Sequence, residues 1–175
     1  MSQLKVNSII PVAGVPTGGG GGIIQVVQTT KTSAFTTTSS SATDVTGLTA
    51  SITPTSSSSK ILVNVNMGNF NNQVADKPAA INIVRGSTNV LVGDNETGSE
   101  CTAMTTPRAT SGAGAHIQLP FSYSVLDSPN TTSATTYKLQ VFTTDGGTVS
   151  INRPGTRDSA SGNTASTLIL MEVSA

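Results

Sequence analysis

Few residues of this 175-residue chain have the types and spacing that chemistry needs. His116 is the sole histidine, and it opens an apolar run. A metal site built on it would need further ligands, and the usual His/Cys spacings are absent. Any serine triad would have to use His116, yet no G-x-S-x-G elbow occurs. Cys101 is the sole cysteine. It makes no intrachain disulfide and reads as a small buried hydrophobe, and a disulfide-rich secreted fold is excluded. Asp94, Glu96 and Glu100 surround Gly98. Oxygen-rich loops of this kind hold hard cations such as Ca²⁺, but the spacing does not fit the EF-hand, and a solvated turn is the simpler reading.

The unbroken run Gly18–Gly22 is not a phosphate loop, because no Gly-Lys-Ser/Thr follows it. Asn95-Glu96-Thr97 and Asn130-Thr131-Thr132 match the glycosylation sequon. No export signal accompanies them, and such matches arise by chance in a chain this rich in Thr. With four Phe, two Tyr and no Trp, a stacking platform for bases or sugar rings is not expected. Nothing singles out a carboxylate pair for glycoside chemistry. The expectation is therefore no catalytic residue, no metal and no cofactor. A structural or adhesive role suits this pattern.

Composition narrows the partners. Nine Lys and Arg balance nine Asp and Glu, so no basic footprint for nucleic acid exists. No apolar run approaches the roughly 20 residues of a membrane span, so no membrane insertion is expected. The start MSQLKVNSII is not a signal peptide, since Lys5, Asn7 and Ser8 interrupt its apolar stretch. Synthesis in a cytoplasm without Sec export follows as the expectation. Ser and Thr number 51 of 175 residues, but Leu, Ile, Val and Phe number 40. That share lies above the rough 20% level that marks disorder in strongly charged chains. A folded β domain is expected.

The elements that would position any site are strands. Ile61, Val63, Val65 and Met67 alternate with Leu62, Asn64 and Asn66, which is period two. Strands are expected near 23–30, 33–38, 45–53, 60–70, 79–85, 88–92, 99–105, 115–126, 135–144, 148–152 and 164–173. Turn signals separate them, among them Gly86-Ser87, Ser128-Pro129-Asn130 and Asp145-Gly146-Gly147. The last predicts a hairpin between Tyr137–Thr144 and Thr148–Asn152. Pro120 removes a ladder donor and points to an edge or a bulge. Many short strands at this spacing predict an all-β fold, a jelly-roll β-sandwich of eight strands with extra edge pieces. No apolar stripe of helical period is present. In Thr167–Val173, Ile169, Met171 and Val173 lie on one face and Leu168 and Leu170 on the other. A strand apolar on both faces is buried on both, so Leu168, Leu170 and Met171 are the candidate subunit interface.

Residues 1–22 differ from the rest. Leu4, Val6, Ile9 and Ile10 form a short apolar segment, Pro11 and Pro16 keep it extended, and the glycines form a tether. The segment reads as an arm for another chain's surface, and 23–175 as the head.

The pieces MSQLKVNSIIPVAG, GGIIQVVQTT, DVTGLTASITP, SSKILVNVNM, YKLQVF and TLILMEV resemble small virion structural proteins of tailed phages, notably those infecting marine bacteria. The resemblance covers most of the chain, although region 94–115 departs from it. It implies a homotrimer of jelly rolls, similar to fibre head domains, whose LKVNSI arm attaches to other virion proteins of tail, collar or capsid. On that resemblance the protein is a non-enzymatic fibre or knob of the virion, assembled in the host cytoplasm. Its loops 70–78, 93–115 and 153–163 would meet a host-surface glycan or protein. The alternatives are a capsid decoration or head-fibre protein and, from another class, a lectin-like sugar binder.

Overall fold

The computed structural model describes residues 22–74, 76–94, 102–104, 120–154 and 162–174. Eleven strands occur among them: β1 (Ile23–Lys31), β2 (Phe35–Thr37), β3 (Thr43–Ile52), β4 (Lys60–Met67), β5 (Phe70–Asn72), β6 (Ala79–Arg85), β7 (Thr88–Leu91), β8 (Phe121–Asp127), β9 (Thr135–Thr143), β10 (Val149–Ile151) and β11 (Ser166–Val173). They form two four-stranded sheets, β1-β11-β4-β8 and β3-β9-β6-β7, and a small sheet, β2-β10-β5. Every pairing is antiparallel. The architecture is an all-β sandwich.

The pairings are nested. β6 pairs with β7 across the Gly86-Ser87 turn, β4 with β8, β3 with β9, β2 with β10, and β1 with β11. The chain is in effect one long hairpin, doubled at Gly86 and rolled up. β1 and β11 close the roll, where the Ser174 amide donates to Gly22 O at 3.0 Å and the Gly22 amide to Ser174 Oγ at 3.2 Å.

Alternation decides which side chains enter the core. Ile61, Val63, Val65 and Met67 of β4 are buried, as their period predicts, and so are Tyr137, Leu139 and Val141 of β9. They share one cluster with Val45, Leu48 and Ile52 of β3, Ile81 and Ile83 of β6, and Leu168 and Leu170 of β11. A fully buried aliphatic side chain contributes roughly 1.5–3 kcal/mol, so such a cluster can fold a chain that is rich in Ser and Thr.

Three expectations need correction. Asp145-Gly146-Gly147 does not close a hairpin. β9 pairs with β3 and β6, and β10 with β2 and β5, so the turn carries the chain from one sheet to another. Its left-handed glycines are real, with φ of 79° at Gly146 and 92° at Gly147, but such a turn also serves a sheet-to-sheet corner. Second, strands buried on both faces exist, but they are β6 and the short β5 and β10, not β11. Third, the strand expected at 115–126 begins, in the described residues, at Phe121. It is an edge strand, as Pro120 implied. The strand expected near 99–105 lies largely outside the described residues, and 102–104 are not in a strand.

The register also sorts the connections by end. Ile23, Val173, Lys60 and Asp127 lie at one end of the first sheet, and Lys31, Ser166, Met67 and Phe121 at the other. We call these the base and the far end. Gly22 and Ser174 both lie at the base. The stretch 68–78 leaves from the far end, and 92–120 and 152–165 join the first sheet there, at Phe121 and Ser166, about 25 Å away at 3.3 Å per residue.

Buried amides pin the far end. Asn152, itself left-handed with φ of 59°, donates to Lys31 O at 2.8 Å and accepts from Ser166 Oγ at 2.6 Å. Asn72 donates to Pro78 O at 3.2 Å and Gly146 O at 3.0 Å, and accepts from the Val74 amide at 3.1 Å. A Cβ at Gly147 would come within 2.3 Å of Asn72 Oδ1, whereas one at Gly146 would meet open space. Gly147→Ala is therefore expected to destabilise by about 2–4 kcal/mol, and Gly146→Ala by about 1 kcal/mol for the left-handed backbone alone. Urea unfolding of both variants measures the gap.

Candidate assembly face

The outer face of β1-β11-β4-β8 changes character along its length. Nearest the base, Ile23 lies opposite Val173, and Val173 opposite Lys60. The next row crosses all four strands as Val26, Met171, Leu62 and Leu126. Beyond it run Gln28, Ile169, Asn64 and Ser124, and then Thr30, Thr167, Asn66 and Ser122. At about 4.8 Å between strands, the apolar row spans roughly 14 Å. Ile23, Val26 and Leu126 are 58%, 58% and 53% exposed. Lys60 is the one charged side chain in these four rows, and it donates to Ser128 Oγ at 2.8 Å.

The polar half is already satisfied. Asn64 Nδ2 donates to Ser124 Oγ at 2.8 Å, Asn66 Nδ2 to Asn64 Oδ1 at 2.7 Å, and Ser122 Oγ to Asn66 Oδ1 at 2.8 Å. Such a ladder gives a neighbour few unpaired groups. The apolar half can gain stability only by leaving water.

Two anchors beneath the base hold this face rigid. The first is Asp127, next to Leu126. Its Oδ2 accepts from Tyr137 Oη at 2.7 Å and from an Arg85 guanidinium nitrogen at 2.7 Å. Arg85 and Tyr137 are cross-strand partners in the opposite sheet, so the triad bolts the sheets together. Burial, then the Asp127 hydrogen bond, push the Tyr137 hydroxyl far above its ordinary range. It stays a neutral donor.

The second anchor is Glu172, which is 0% exposed. Its Oε1 accepts from the Thr55 amide and from Thr55 Oγ1, each at 2.7 Å, and ties the β3–β4 connection to β11. Burial alone would raise this carboxyl. The hydrogen bonds from Thr55 and Ser59, with backbone amides of Thr55 and Ser56, outweigh it and hold the group below the ordinary value.

The free edges are irregular. β1 is bulged at Ile23/Gln25, β3 at Asp44/Thr49 and the β6–β7 pair at Ile83/Val84. β8 is preceded by Pro120. Bulges and prolines at edges discourage strand addition. On the second sheet's outer face, Asp44 carries Lys138 Nζ at 2.8 Å and Gln140 Nε2 at 2.7 Å. These contacts, Lys138 first, hold its carboxyl below the usual value.

Of the residues singled out by sequence, Leu168 and Leu170 are both 0% exposed inside the chain's own core. Their interface assignment is corrected, because a neighbour cannot reach them. Met171 does lie on the outward face. Leu4, Val6, Ile9 and Ile10 lie outside the described residues, as do Glu96, Glu100, Cys101 and His116. Val26, Leu62 and Leu126 were missed. The signal was there: toward the base end of β1, β4 and β8 two or three apolar residues run consecutively, as in Val26-Val27, Ile61-Leu62-Val63 and Val125-Leu126, so both faces are apolar. Among the described residues no three His, Cys, Asp or Glu side chains come together. No protein-family model matches the chain, and no curated protein matches it either.

The two faces of β11 should respond oppositely to substitution. Leu168→Ala is expected to cost about 2–5 kcal/mol, and Met171→Ser to stay within about 1 kcal/mol in the isolated chain. Denaturant melts of each decide it. Glu172 sets an acid limit. Its folded value is depressed, so its contribution is complete above the unfolded value near 4.3 and is lost as pH falls through the folded value. Glu172→Gln should therefore be less stable by about 1–3 kcal/mol at neutral pH, and the gap should narrow in acid as pH falls below the unfolded value and on through the folded one. Stability curves at neutral and acid pH check this.

Proposed function

We propose that this chain is a non-enzymatic structural appendage of a tailed-phage particle. It is a trimeric jelly-roll head, joined to other virion proteins through residues 1–22, whose far-end loops contact the host surface. The observation that carries the reading is the separation of ends. The arm departs at the base beside Ser174, and three long connections meet the first sheet at the far end, at Met67, Phe121 and Ser166. An appendage needs this polarity, with attachment on one side and contact on the other.

The strand orders β1-β11-β4-β8 and β3-β9-β6-β7, with nested antiparallel pairs, support the jelly roll, which is two Greek keys rolled together. On this reading β2, β5 and β10 are additions at the far-end corner. The far-end connections comprise 68–78, 92–120 and 152–165, and loops on a rigid scaffold are where recognition resides. Three copies of a weak contact gain by avidity. Leu4, Val6, Ile9 and Ile10 are the anchoring residues of the arm.

Deleting residues 1–21 tests the anchor, since Gly22 belongs to the head. The expected outcome is a folded protein that particles no longer incorporate. Normal incorporation would refute the anchor. Gold-labelled antibody against residues 23–175 should mark the tail or collar in electron micrographs of virions. Label over the capsid would turn the reading into a decoration protein. No label, with the epitope accessible on purified protein, would overturn the virion assignment.

A further inference from the structure

We propose that the apolar base strip formed by Val26, Met171, Leu62 and Leu126, with Ile23 and Val173 beside it, is the surface on which further copies of this chain pack. The proposal rests on the trimeric reading above and locates its contact. Four observations favour a second copy over other occupants.

The strip is contiguous and crosses all four strands. A patch of this kind, rimmed by polar residues, marks an interaction surface. Its one flanking charge, Lys60, is occupied by Ser128, and the whole chain has no net charge. With no net charge on the chain, self-association meets no overall electrostatic repulsion, while an anionic membrane or nucleic acid finds no basic cluster on this face to hold it. The irregular edges discourage strand-to-strand association, so copies must meet face on.

The fourth observation is where the chain enters the head. Gly22 joins Ser174 at the base, and the strip begins four residues later at Val26. Copies gathered about their strips would send their arms out side by side from one end. A strip at the far end would instead crowd the loops and spread the arms.

Sedimentation velocity of the full-length chain tests the assignment, with Val26→Asp, Leu126→Asp and, on the polar half of the same face, Ser122→Asp. Circular dichroism and a denaturant melt report folding. The expected result is a trimer for the parent and for Ser122→Asp. The two strip variants should be folded monomers, with association weakened at least about a hundredfold by burial of an unpaired carboxylate. If Val26→Asp fails to fold, Leu126→Asp on the edge strand decides alone. Strip variants that remain trimeric overturn the strip and leave the trimer standing. A parent that is monomeric at its highest soluble concentration overturns both. A monomeric parent that associates once residues 1–21 are removed shows the chain's own arm on the strip, and also overturns the proposal.

Discussion

The pairing of β1 with β11 is the contact on which the rest of the sandwich depends. β11 lies between β1 and β4, and its Leu168 and Leu170 reach the centre of the core. Without β1, one side of β11 would present unpaired backbone groups, and partly buried Val27 would leave the cluster it packs against. The pairing joins residues about as distant in sequence as the chain allows. The Gly22–Ser174 bond spans 152 positions. Closing that loop directly costs more conformational entropy than any other pairing. Nesting reduces the cost, because each inner pair brings the next two strands close. The short β6–β7 turn is the natural start, and the outermost pair completes the roll. Such a topology is dominated by non-local contacts and folds slowly for its size.

A chain with this much Ser and Thr folds because its polar groups are used rather than avoided. Hydroxyls and amides cap one another along the outer faces, as in the Asn64–Ser124 and Ser122–Asn66 contacts. At the far end, where the small sheet turns the corner, Asn72 and Asn152 satisfy backbone carbonyls with side-chain bonds, Asn72 to Pro78 and Gly146 in the turns and Asn152 to Lys31 of β1. A buried carbonyl or amide left unpaired would cost about 1–3 kcal/mol. At the base, Asp127 and Glu172 do the same work with charge-assisted bonds.

Much of the strand pattern was legible in the sequence, because burial on one face forces period two. β4 and β9 show this directly, and Gly86-Ser87 marked its hairpin. What was not legible depended on distant partners. Asp145-Gly146-Gly147 has the local chemistry of a hairpin, yet the choice between hairpin and corner belongs to β2 and β5, far away in sequence. The double-faced apolarity of β11 was read correctly, but which of its residues face outward was not. Leu168 and Leu170 face the core, while Ile169 and Met171 face outward. Only the register, which sets Met171 beside Val26 and Leu62 with Leu126 beyond, shows that the outward residues form a strip. The anchors were silent as well, since single Asp, Tyr and Glu residues carry no spacing signal.

The separation of base and far end has a mechanical consequence. A pull applied between the arm and the far-end loops runs along the strands. For β1, the load enters at Ile23 and is resisted by its whole line of hydrogen bonds to β11. Those bonds are strained together in shear, rather than opened one after another like a zip. Detaching the outermost strand by tension of this direction requires breaking many bonds at once, whereas a sideways pull on the same strand would meet them singly. The head is therefore strongest along the axis that joins its point of entry to its loops.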